Sequence, residues 1–203
     1  RLRKKYQESS PDFDAIFQEC TTVIINQVKG LMELVNEFSR FARMPEPQPC
    51  FCNLNTLIRE TVALYKGHPK GLRIETDFDE RLGQVHVDEE QMKRVFINLI
   101  DNAIKYSGAQ VRVLVEVAAT DAKHVAIRVR DQGVGIPQSE LKRIFKRFYR
   151  IPGTIAKRVN GTGLGLFIVR TVAKRHGGRV FAESAGVDQG STITLQLPAL
   201  SSS

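Results

Sequence analysis

A glycine-rich segment that runs directly into an amphipathic stretch is the feature that most restricts how this chain folds. Residues 161–166 read Gly-Thr-Gly-Leu-Gly-Leu, and the apolar-periodic stretch that follows extends from Leu166 to His176. Glycine tolerates positive φ, so its backbone can approach other groups closely. The exposed N–H groups of a helix start, with its positive dipole end, attract anions. The segment therefore predicts a phosphate-binding loop at the start of a helix.

Two other glycine motifs do not fit the sequence. A dinucleotide-binding fingerprint needs G-x-G-x-x-G after a strand, but Leu166 stands at the last position and the preceding residues 155–160 are short and basic. A P-loop needs G-x-x-x-x-G-K-[ST], which occurs nowhere in the chain. Glycines that only punctuate a loop are the remaining alternative.

An amide pair precedes the glycine-rich segment. Asn98 and Asn102 are four residues apart within a predicted helix at 89–107, so they share one face. Two amide oxygens there can bind a Mg²⁺ ion that bridges phosphates. Lys105 can neutralise phosphate, and Tyr106 offers a flat face for an adenine ring. Helix amides that only cap nearby backbone are the alternative.

An acidic residue followed by spaced glycines forms the third block. Asp131 ends a predicted apolar strand, and Gly133 and Gly135 follow it. A carboxylate held there accepts a hydrogen bond from an exocyclic amine such as adenine N6, and the glycines let the backbone turn beneath the base. A β-turn with Asp at its first position is the alternative. Together the three blocks predict a site for a nucleotide and magnesium.

The charge of the chain limits which ligands it can bind. Thirty Lys and Arg against 22 Asp and Glu leave a net charge of +8, as a nucleic-acid-binding module would also show. Basic residues concentrate at 142–158, beside the glycine-rich segment, so bound polyphosphate explains them better.

The three cysteines form no disulfide framework and indicate a reducing compartment. Cys50 and Cys52 lack the second pair that a metal site needs, and no apolar run reaches the about 18 residues of a membrane span.

The N-terminal residues predict a long helical arm. Ser10 and Pro11 are a helix-start signal, and apolar residues then recur in steps of four and three towards a helix end near Met44. Such a stripe must pack on a partner, so we expect half of a helical hairpin that dimerises, with a lone core helix as the alternative. The positions of this seam are Phe13, Phe17, Cys20, Ile24, Gln27, Leu31, Leu34, Phe38 and Phe41.

The remaining elements predict an α+β fold. The strands gather in hairpins rather than alternating with helices, which favours a mixed sheet packed on helices. A proline-rich linker at 45–49 separates this part from the arm. Helices are expected at about 53–66, capped by Asn53 or Asn55, and at 89–107 and 163–176. A short helix capped by Ser139 should end near Phe145, and strands are expected at 72–78, 84–87, 111–117, 125–131, 179–183 and 191–197.

These blocks resemble the N, G1, F and G2 boxes of the catalytic ATP-binding domain of sensor histidine kinases, in the superfamily that includes gyrase B, the chaperone ATPases of the same fold and MutL. The resemblance covers about residues 53–198, with 145–150 (Phe-Lys-Arg-Phe-Tyr-Arg) as the F box and 190–198 as the closing strand. It implies a Bergerat-type ATP-binding α/β sandwich with ATP and Mg²⁺ as cofactors. Residues 35–45 resemble the second helix of the dimerisation domain, in a form similar to NtrY-type nitrogen-regulation kinases.

The resemblance also implies the residues of the site. The gyrase-like and chaperone-like ATPases carry a glutamate at the position of Asn98, where it activates water; an amide is no general base, so Asn98 favours phosphoryl transfer over hydrolysis. Asn98 and Asn102 are the implied Mg²⁺ ligands. The implied ATP-binding residues are Asn98, Asn102, Lys105, Tyr106, Asp131, Gly133, Gly135, Ile136, Phe145, Arg147, Phe148, Arg150, Gly161, Thr162, Gly163, Leu164, Gly165, Leu166 and Thr192.

The family's H box, with its phospho-accepting histidine, has no counterpart in this sequence. The four histidines, His68, His86, His124 and His176, all lie in other contexts. We therefore expect residues 1–47 to be the C-terminal part of a dimerisation and phosphotransfer domain, cut from a longer chain, and residues 48–200 to be the catalytic ATP-binding domain. The fragment alone should bind ATP without phosphorylating itself.

The sequence thus predicts the catalytic domain of a two-component sensor histidine kinase, which transfers the γ-phosphoryl group of ATP to a histidine outside this chain and then to a response regulator. The implied partners are a second copy, bound through the helical arm, and a receiver domain, with no nucleic acid. The domain is expected in the cytoplasm, and the parent in the bacterial inner membrane through missing N-terminal segments. The alternatives are an anti-sigma-type serine kinase, another ATPase of the superfamily, and a basic nucleic-acid-binding module.

Overall fold

The structure is a computed structural model that describes residues 13–68, 71–108, 111–153 and 161–199. The chain divides into two compact units. One consists of residues 1–44 with 160–162, and the other of residues 45–159 with 163–203.

The first unit contains a single described helix, α1 (Phe13–Ala42), of 30 residues. At 1.5 Å per residue it is about 45 Å long. A last turn follows, in which Met44 N donates to Phe41 O at 3.1 Å. Pro45 then ends the helical path because it has no N–H to donate. The predicted long arm is confirmed, while its predicted start at Ser10 and Pro11 lies outside the described residues.

The second unit contains seven strands and three α-helices in its described part. The elements in chain order are β1 (Cys50–Cys52), α2 (Leu54–Ala63), β2 (Arg73–Phe78), β3 (Val85–Val87), α3 (Glu89–Tyr106), β4 (Arg112–Asp121), β5 (His124–Asp131), α4 (Gly165–Arg175), β6 (Arg179–Glu183) and β7 (Ser191–Pro198). Two 3₁₀ turns, Gln138–Glu140 and Arg143–Phe145, lie between β5 and α4.

Five strands form one mixed sheet in the order β2-β4-β5-β7-β6. β2 runs parallel to β4, and every other neighbouring pair is antiparallel. β1 and β3 form a separate antiparallel pair. The predicted α+β class, with a mixed sheet packed on helices, is therefore confirmed.

The core lies between one face of the large sheet and the three helices. Alternate residues of a strand point to opposite faces, and the buried face of the sheet carries Val113, Val115, Val117, Val125, Ile127, Val129, Ile193, Leu195 and Leu197. The helices bury Leu54, Leu57, Ile58, Met92, Val95, Phe96, Leu99, Ile100, Ile168, Val169 and Val172. This packing fixes α3 and α4, the two helices predicted to carry site residues.

Several local expectations are corrected by the structure. β1 was not expected, and β4 extends four residues beyond its predicted end. The short helix expected between Ser139 and Phe145 is two 3₁₀ turns, and Ser139 makes no cap there because Pro137 occupies the N-cap position. Of the two expected caps for α2, Asn53 accepts from Thr56 N at 3.1 Å.

The linker after the arm is part of the second unit. Gln48 N donates to Asp88 Oδ2 at 2.8 Å, and Pro45 O accepts from Arg175 Nη1 at 3.0 Å. The other Asp88 oxygen caps α3 by accepting from Gln91 N at 2.9 Å. Asp88 N in turn donates to His176 Nε2 at 3.1 Å. One set of bonds thus joins the linker to the start of α3 and the end of α4.

Within the described ranges, none of the helices combines the length and the apolar character that a membrane crossing requires.

Candidate functional site

The start of α4 lies directly against the amide pair of α3. A Cβ atom placed on Gly165 would be 2.8 Å from Asn98 Oδ1 and 3.7 Å from Asn102 Nδ2. Asn98 Nδ2 donates to Arg94 O at 2.8 Å, so its oxygen is held towards α4. Two blocks that are more than sixty residues apart in the sequence therefore meet, and only glycine leaves the space between them open.

The N-cap position of α4 is occupied by Leu164, which is fully buried and makes no side-chain capping bond. The N–H groups at a helix start, with the positive end of the helix dipole, are an anion-binding arrangement. Their position beside Asn98 and Asn102 is the one that a phosphate bridged to a metal ion would require.

Asp131 is held in place by two hydrogen bonds. It is 8% exposed; its Oδ1 accepts from Gly133 N at 2.8 Å and its Oδ2 accepts from Ser191 Oγ at 2.6 Å. Each carboxylate oxygen keeps a second lone pair. The carboxylate is therefore fixed in orientation and can still accept from an amine of a ligand.

The C-terminal end of α3 joins this acidic block. Val134 N donates to Tyr106 O at 3.1 Å. A Cβ atom on Gly133 would be 2.4 Å from the same carbonyl oxygen, so no side chain fits at this position. The segment from Asp131 to Gly135 thus lies at one end of α3, one turn beyond Asn102.

The F box is fastened to the glycine-rich segment. Phe148 N donates to Gly163 O at 3.0 Å, and both residues have positive φ, 60° and 73°. A non-glycine residue in this conformation is unusual and marks a constrained backbone. Arg147 lies over the Phe148 ring, with its guanidinium carbon 5.3 Å from the centroid.

A buried acid, Glu140, contacts the F box at the residue after Phe148. It accepts from Arg143 Nη1 at 2.9 Å and from the Tyr149 hydroxyl. The hydrogen bond to Glu140 raises the pKa of Tyr149. Sequence reasoning missed this residue, because a lone Glu after Pro137 gives no signal of burial.

The opposite side of α3 is fixed by α2 and its flanking turn. The Tyr65 hydroxyl donates to Asp101 Oδ1 at 2.8 Å. Burial and this bond raise the pKa of Tyr65. Asp101 stands between the two amides in sequence, so the bond fixes the rotation of α3 that turns Asn98 and Asn102 towards α4.

Some of the predicted binding residues do not present an exposed side chain to the site. Phe145 and Leu164 are buried in the core, 4% and 0% exposed. Thr192 pairs with Arg130 and is one residue out of step with Asp131, so it points to the opposite face of the sheet. The hydroxyl that contacts Asp131 belongs to Ser191. Thr192 is therefore replaced by Ser191 in the candidate site.

The other predicted residues are placed as follows. Gly161 and Thr162 belong to the first unit, so their part in the site stays a prediction. Lys105 is exposed, while Tyr106, Ile136, Arg150 and Leu166 are partly buried. The basic residues Lys157 and Arg158 lie outside the described residues.

A basic cleft of about 340 Å³ runs along α4. Four of its lining residues are cationic, and it includes neither amide of α3 nor Asp131. It extends the positive charge beside the start of α4, which attracts anionic ligands to this side of the unit. The cleft is lined by Phe145, Lys146, Arg147, Phe167, Arg170, Thr171 and Lys174.

The two cysteines of β1 differ in their exposure. Cys52 is buried, which raises the pKa of its thiol to about 11, whereas Cys50 is exposed. In the part of the chain that the structure describes, no three His, Cys, Asp or Glu residues are grouped as metal ligands.

The fold and the site define a known class of nucleotide-binding domain. Residues 87–201 match the family described as histidine kinase-, DNA gyrase B- and HSP90-like ATPases. The match covers more than half of the chain, and the chain belongs to this family.

Known relatives show which members of this family the chain resembles. The sensor protein kinase WalK of Staphylococcus aureus is 30% identical over 195 residues, which are 96% of this chain and 46% of the relative. The chain thus spans less than half the length of that protein. The predicted likeness to sensor histidine kinases is confirmed, while nothing in these relatives separates the NtrY type.

Solved structures share the fold. The mycobacterial sensor histidine kinase MprB has a TM-score of 0.63 and 29% identity, covering 75% of this chain and 97% of that one. Full-length ShkA, solved in complex with AMPPNP, has a TM-score of 0.74 and 26% identity, covering 92% of this chain and 39% of that one.

Proposed function

We propose that this chain is the ATP-binding catalytic domain, with part of the dimerisation arm, of a two-component sensor histidine kinase. The observation that supports it best is the close approach of the Asn98–Asn102 pair to the glycine start of α4 at Gly165. A metal ion bound by the two amides and a phosphate bound by the start of α4 would thereby lie next to each other. The fixed carboxylate of Asp131 supplies a separate acceptor for the base.

Each residue type has a distinct part in binding ATP. Asp131 accepts from the amine of the base, and Gly133 keeps the backbone clear beside it. The amide oxygens of α3 hold Mg²⁺, and the N–H groups at the start of α4 bind phosphate oxygens. Bound ATP would supply the γ-phosphoryl group for transfer. The cationic residues near the F box neutralise the charge of that group, which is the main way that proteins assist phosphoryl transfer.

The reaction is transfer to a protein acceptor rather than to water. Asn98 stands where a water-activating glutamate would be needed, and an amide cannot take a proton from water. The acceptor is a histidine outside this chain, and an aspartate of a response regulator receives the group from it. A receiver domain is therefore the second protein partner.

Finer features of the proposal concern the parent protein. We infer a dimerisation and phosphotransfer part at residues 1–47, a catalytic domain at 48–200, and pairing of two copies through α1. We also place the domain in the cytoplasm, with the parent anchored in the bacterial inner membrane. An NtrY-type role in nitrogen regulation rests on residues 35–45 alone.

Thermal unfolding with nucleotides tests the binding function. ATP or ADP with Mg²⁺ should raise Tm, since a ligand bound only to the native state at 100 times its Kd adds about 2.7 kcal/mol of stability. Asn102→Ala should remove most of the magnesium-dependent part, and Asp131→Ala most of the preference for adenine over guanine. Asn36→Ala, an exposed change on α1, is the matched control. Equal shifts of the unmodified chain with ATP and GTP would contradict the role of Asp131.

A further inference from the structure

Ser184 connects two segments that lie far apart in the sequence. Its Oγ accepts from Ile136 N at 3.0 Å and from Gly186 N at 3.2 Å, and it donates to Gly190 O at 2.6 Å. One hydroxyl thus fills both of its acceptor positions and its single donor position. Ser184 follows β6 directly, and neither the glycine motifs nor the acidic block includes it.

The turn that Ser184 begins, residues 184–190, lies against the acidic block along its length. Asp188 N donates to Val134 O at 2.8 Å, and Gly190 N donates to Gly133 O at 3.0 Å. A Cβ atom on Gly135 would be 1.9 Å from the carbonyl oxygen of Gly186. The backbone of residues 133–136 therefore packs against the turn, with no side chain between them at Gly135.

The acidic block needs this support because of its glycines. Gly135 has φ of +66°, and glycine populates positive and negative φ about equally, so the residue itself does not select this conformation. The hydrogen bond from Ile136 N to Ser184 Oγ fixes the backbone on one side of Gly135. The bonds from the turn to Val134 O and Gly133 O fix it on the other side.

We propose that Ser184 is a positioning residue for recognition of the nucleotide base. It acts through Ile136 and Gly135, which lie beside the base acceptor Asp131, and it does not touch the ligand. The inference rests on the proposed function, since it concerns how that same site selects and holds adenine. The phosphate side, at Asn98 and Gly165, has no bond to the turn at residues 184–190 among the described contacts and should not depend on Ser184.

Titration calorimetry with two ligands separates the two sides of the site. ADP reports on base and phosphates together, and inorganic pyrophosphate reports on the phosphate side alone, both in the presence of Mg²⁺. Ser184→Ala leaves two N–H groups without their acceptor, a loss that corresponds to about tenfold weaker ADP binding. Pyrophosphate affinity should stay unchanged. Ser184→Thr keeps the hydroxyl and should bind ADP normally, as should the matched control Ser139→Ala at an exposed serine.

Hydrogen exchange of the nucleotide-free chain gives a second readout. The amide of Ile136 should exchange faster in Ser184→Ala than in the unmodified chain or in Ser184→Thr. If the alanine variant does not fold, Gln138→Ala replaces it, because it removes only the bond from Gln138 Nε2 to Ser184 O; it should weaken ADP binding about twofold and leave pyrophosphate binding unchanged.

The outcomes separate this inference from the proposed function. An unmodified chain that binds neither ADP nor ATP would refute the proposed function, and Ile136 exchange would still test the support by Ser184. Normal ADP affinity of Ser184→Ala in a chain that binds ADP would overturn the inference, and so would equal losses for ADP and pyrophosphate. With an unfolded alanine variant, normal ADP affinity of Gln138→Ala would overturn it too.

Discussion

A substitution at Gly165 should affect folding and ligand binding in different ways. Gly165→Ala should improve the intrinsic helix preference by up to about 1 kcal/mol, yet its Cβ would meet Asn98 Oδ1 at 2.8 Å. Asn98 can swing aside, since its oxygen is the end of a side chain, but it then leaves the position of a metal ligand. We expect Tm without nucleotide to stay equal or rise, and the Mg²⁺-dependent part of nucleotide affinity to fall about tenfold or more.

Thermal unfolding without ligand and titration of Mg²⁺ at fixed ADP measure the two effects. Gly83→Ala is the control, since a Cβ there meets nothing within 4 Å. An unchanged magnesium dependence in Gly165→Ala would show that the space beside Asn98 is not used by the ligand.

The raised pKa of Tyr65 predicts how the stability of the domain depends on pH. Burial, and then the bond to Asp101, raise the pKa of Tyr65 above its ordinary 10.0. The unfolded chain loses this proton at lower pH than the folded chain, so the stabilisation is full below pH 10 and declines as the pH rises above it. Tyr65→Phe should cost about 1 kcal/mol at pH 7 and should lose less stability than the unmodified chain between pH 9 and 11.

Urea unfolding of both proteins at several pH values checks this difference. Cys52 titrates in the same range, with its pKa raised to about 11, but it is present in both chains and cancels in the comparison. Parallel curves for the two proteins would contradict a bonded, buried Tyr65.

Single residues also show where sequence reasoning stops. The amide pair, Asp131 and Gly165 could be predicted as site residues because each belongs to a short motif with a fixed spacing along the sequence. Ser191, Ser184 and Glu140 could not, because their partners lie between 6 and 60 positions away and are fixed only by strand register and loop packing. Thr192 was predicted in place of Ser191 for the same reason, since a shift of one residue along a strand turns the side chain to the opposite face of the sheet.

At the scale of elements, a single histidine fastens the linker region to two helices. His176 Nε2 accepts from Asp88 N at 3.1 Å, and Nδ1 lies 2.9 Å from Val172 O, which it can only approach as a donor. The neutral ring with its proton on Nδ1 satisfies both partners. His176→Ala should therefore leave the Asp88 N–H unpaired and cost about 1–2 kcal/mol of stability.

Hydrogen exchange should locate that loss at the linker. The Gln48 amide, which donates to Asp88 Oδ2, should exchange faster in His176→Ala because Asp88 loses its anchor. His124→Ala, an exposed change at a hairpin, should leave it protected. Equal stability of the two variants would mean that the linker holds its place without His176.

The elements themselves were largely predictable, and the exceptions have physical causes. Long periodic segments such as α1 and α3 follow from spacing alone. β1 has only three residues and no alternation, since it is defined by its partner β3. The caps of α2 could not be ranked from sequence because both Asn53 and Asn55 are good caps. In the structure Asn53 caps the helix, whereas Asn55 is buried inside it and donates to Asp79 O.

At the scale of the whole molecule, the exposed apolar seam of α1 predicts that two copies of the chain associate. Phe17, Ile24 and Leu31 of its seam are 49%, 56% and 62% exposed, and Val28 and Val35 widen the apolar face. Apolar surface of this extent marks an interface, and the heptad spacing fits a helical partner. We expect a concentration-dependent dimer, weakened about tenfold or more by Ile24→Asp with Leu31→Asp, since buried charge is costly.

Sedimentation equilibrium measures this association. The pair Thr22→Asp with Asn36→Asp adds the same two charges on the other side of the helix and should leave the dimer intact. Equal dimerisation of the two double variants would exclude the seam as the interface.

The last prediction concerns activity of the chain as a kinase. Incubated alone with γ-labelled ATP, it should incorporate no acid-labile phosphate, because none of its four histidines lies in an H-box context. A longer chain that carries the H box and pairs through α1 should become labelled, since transfer depends chiefly on placing the acceptor in line with the bound phosphate. In that chain Asn98→Glu should divert ATP to water by supplying a base. Stoichiometric labelling of the isolated chain, abolished by changing one of its own histidines, would show that the acceptor lies within it.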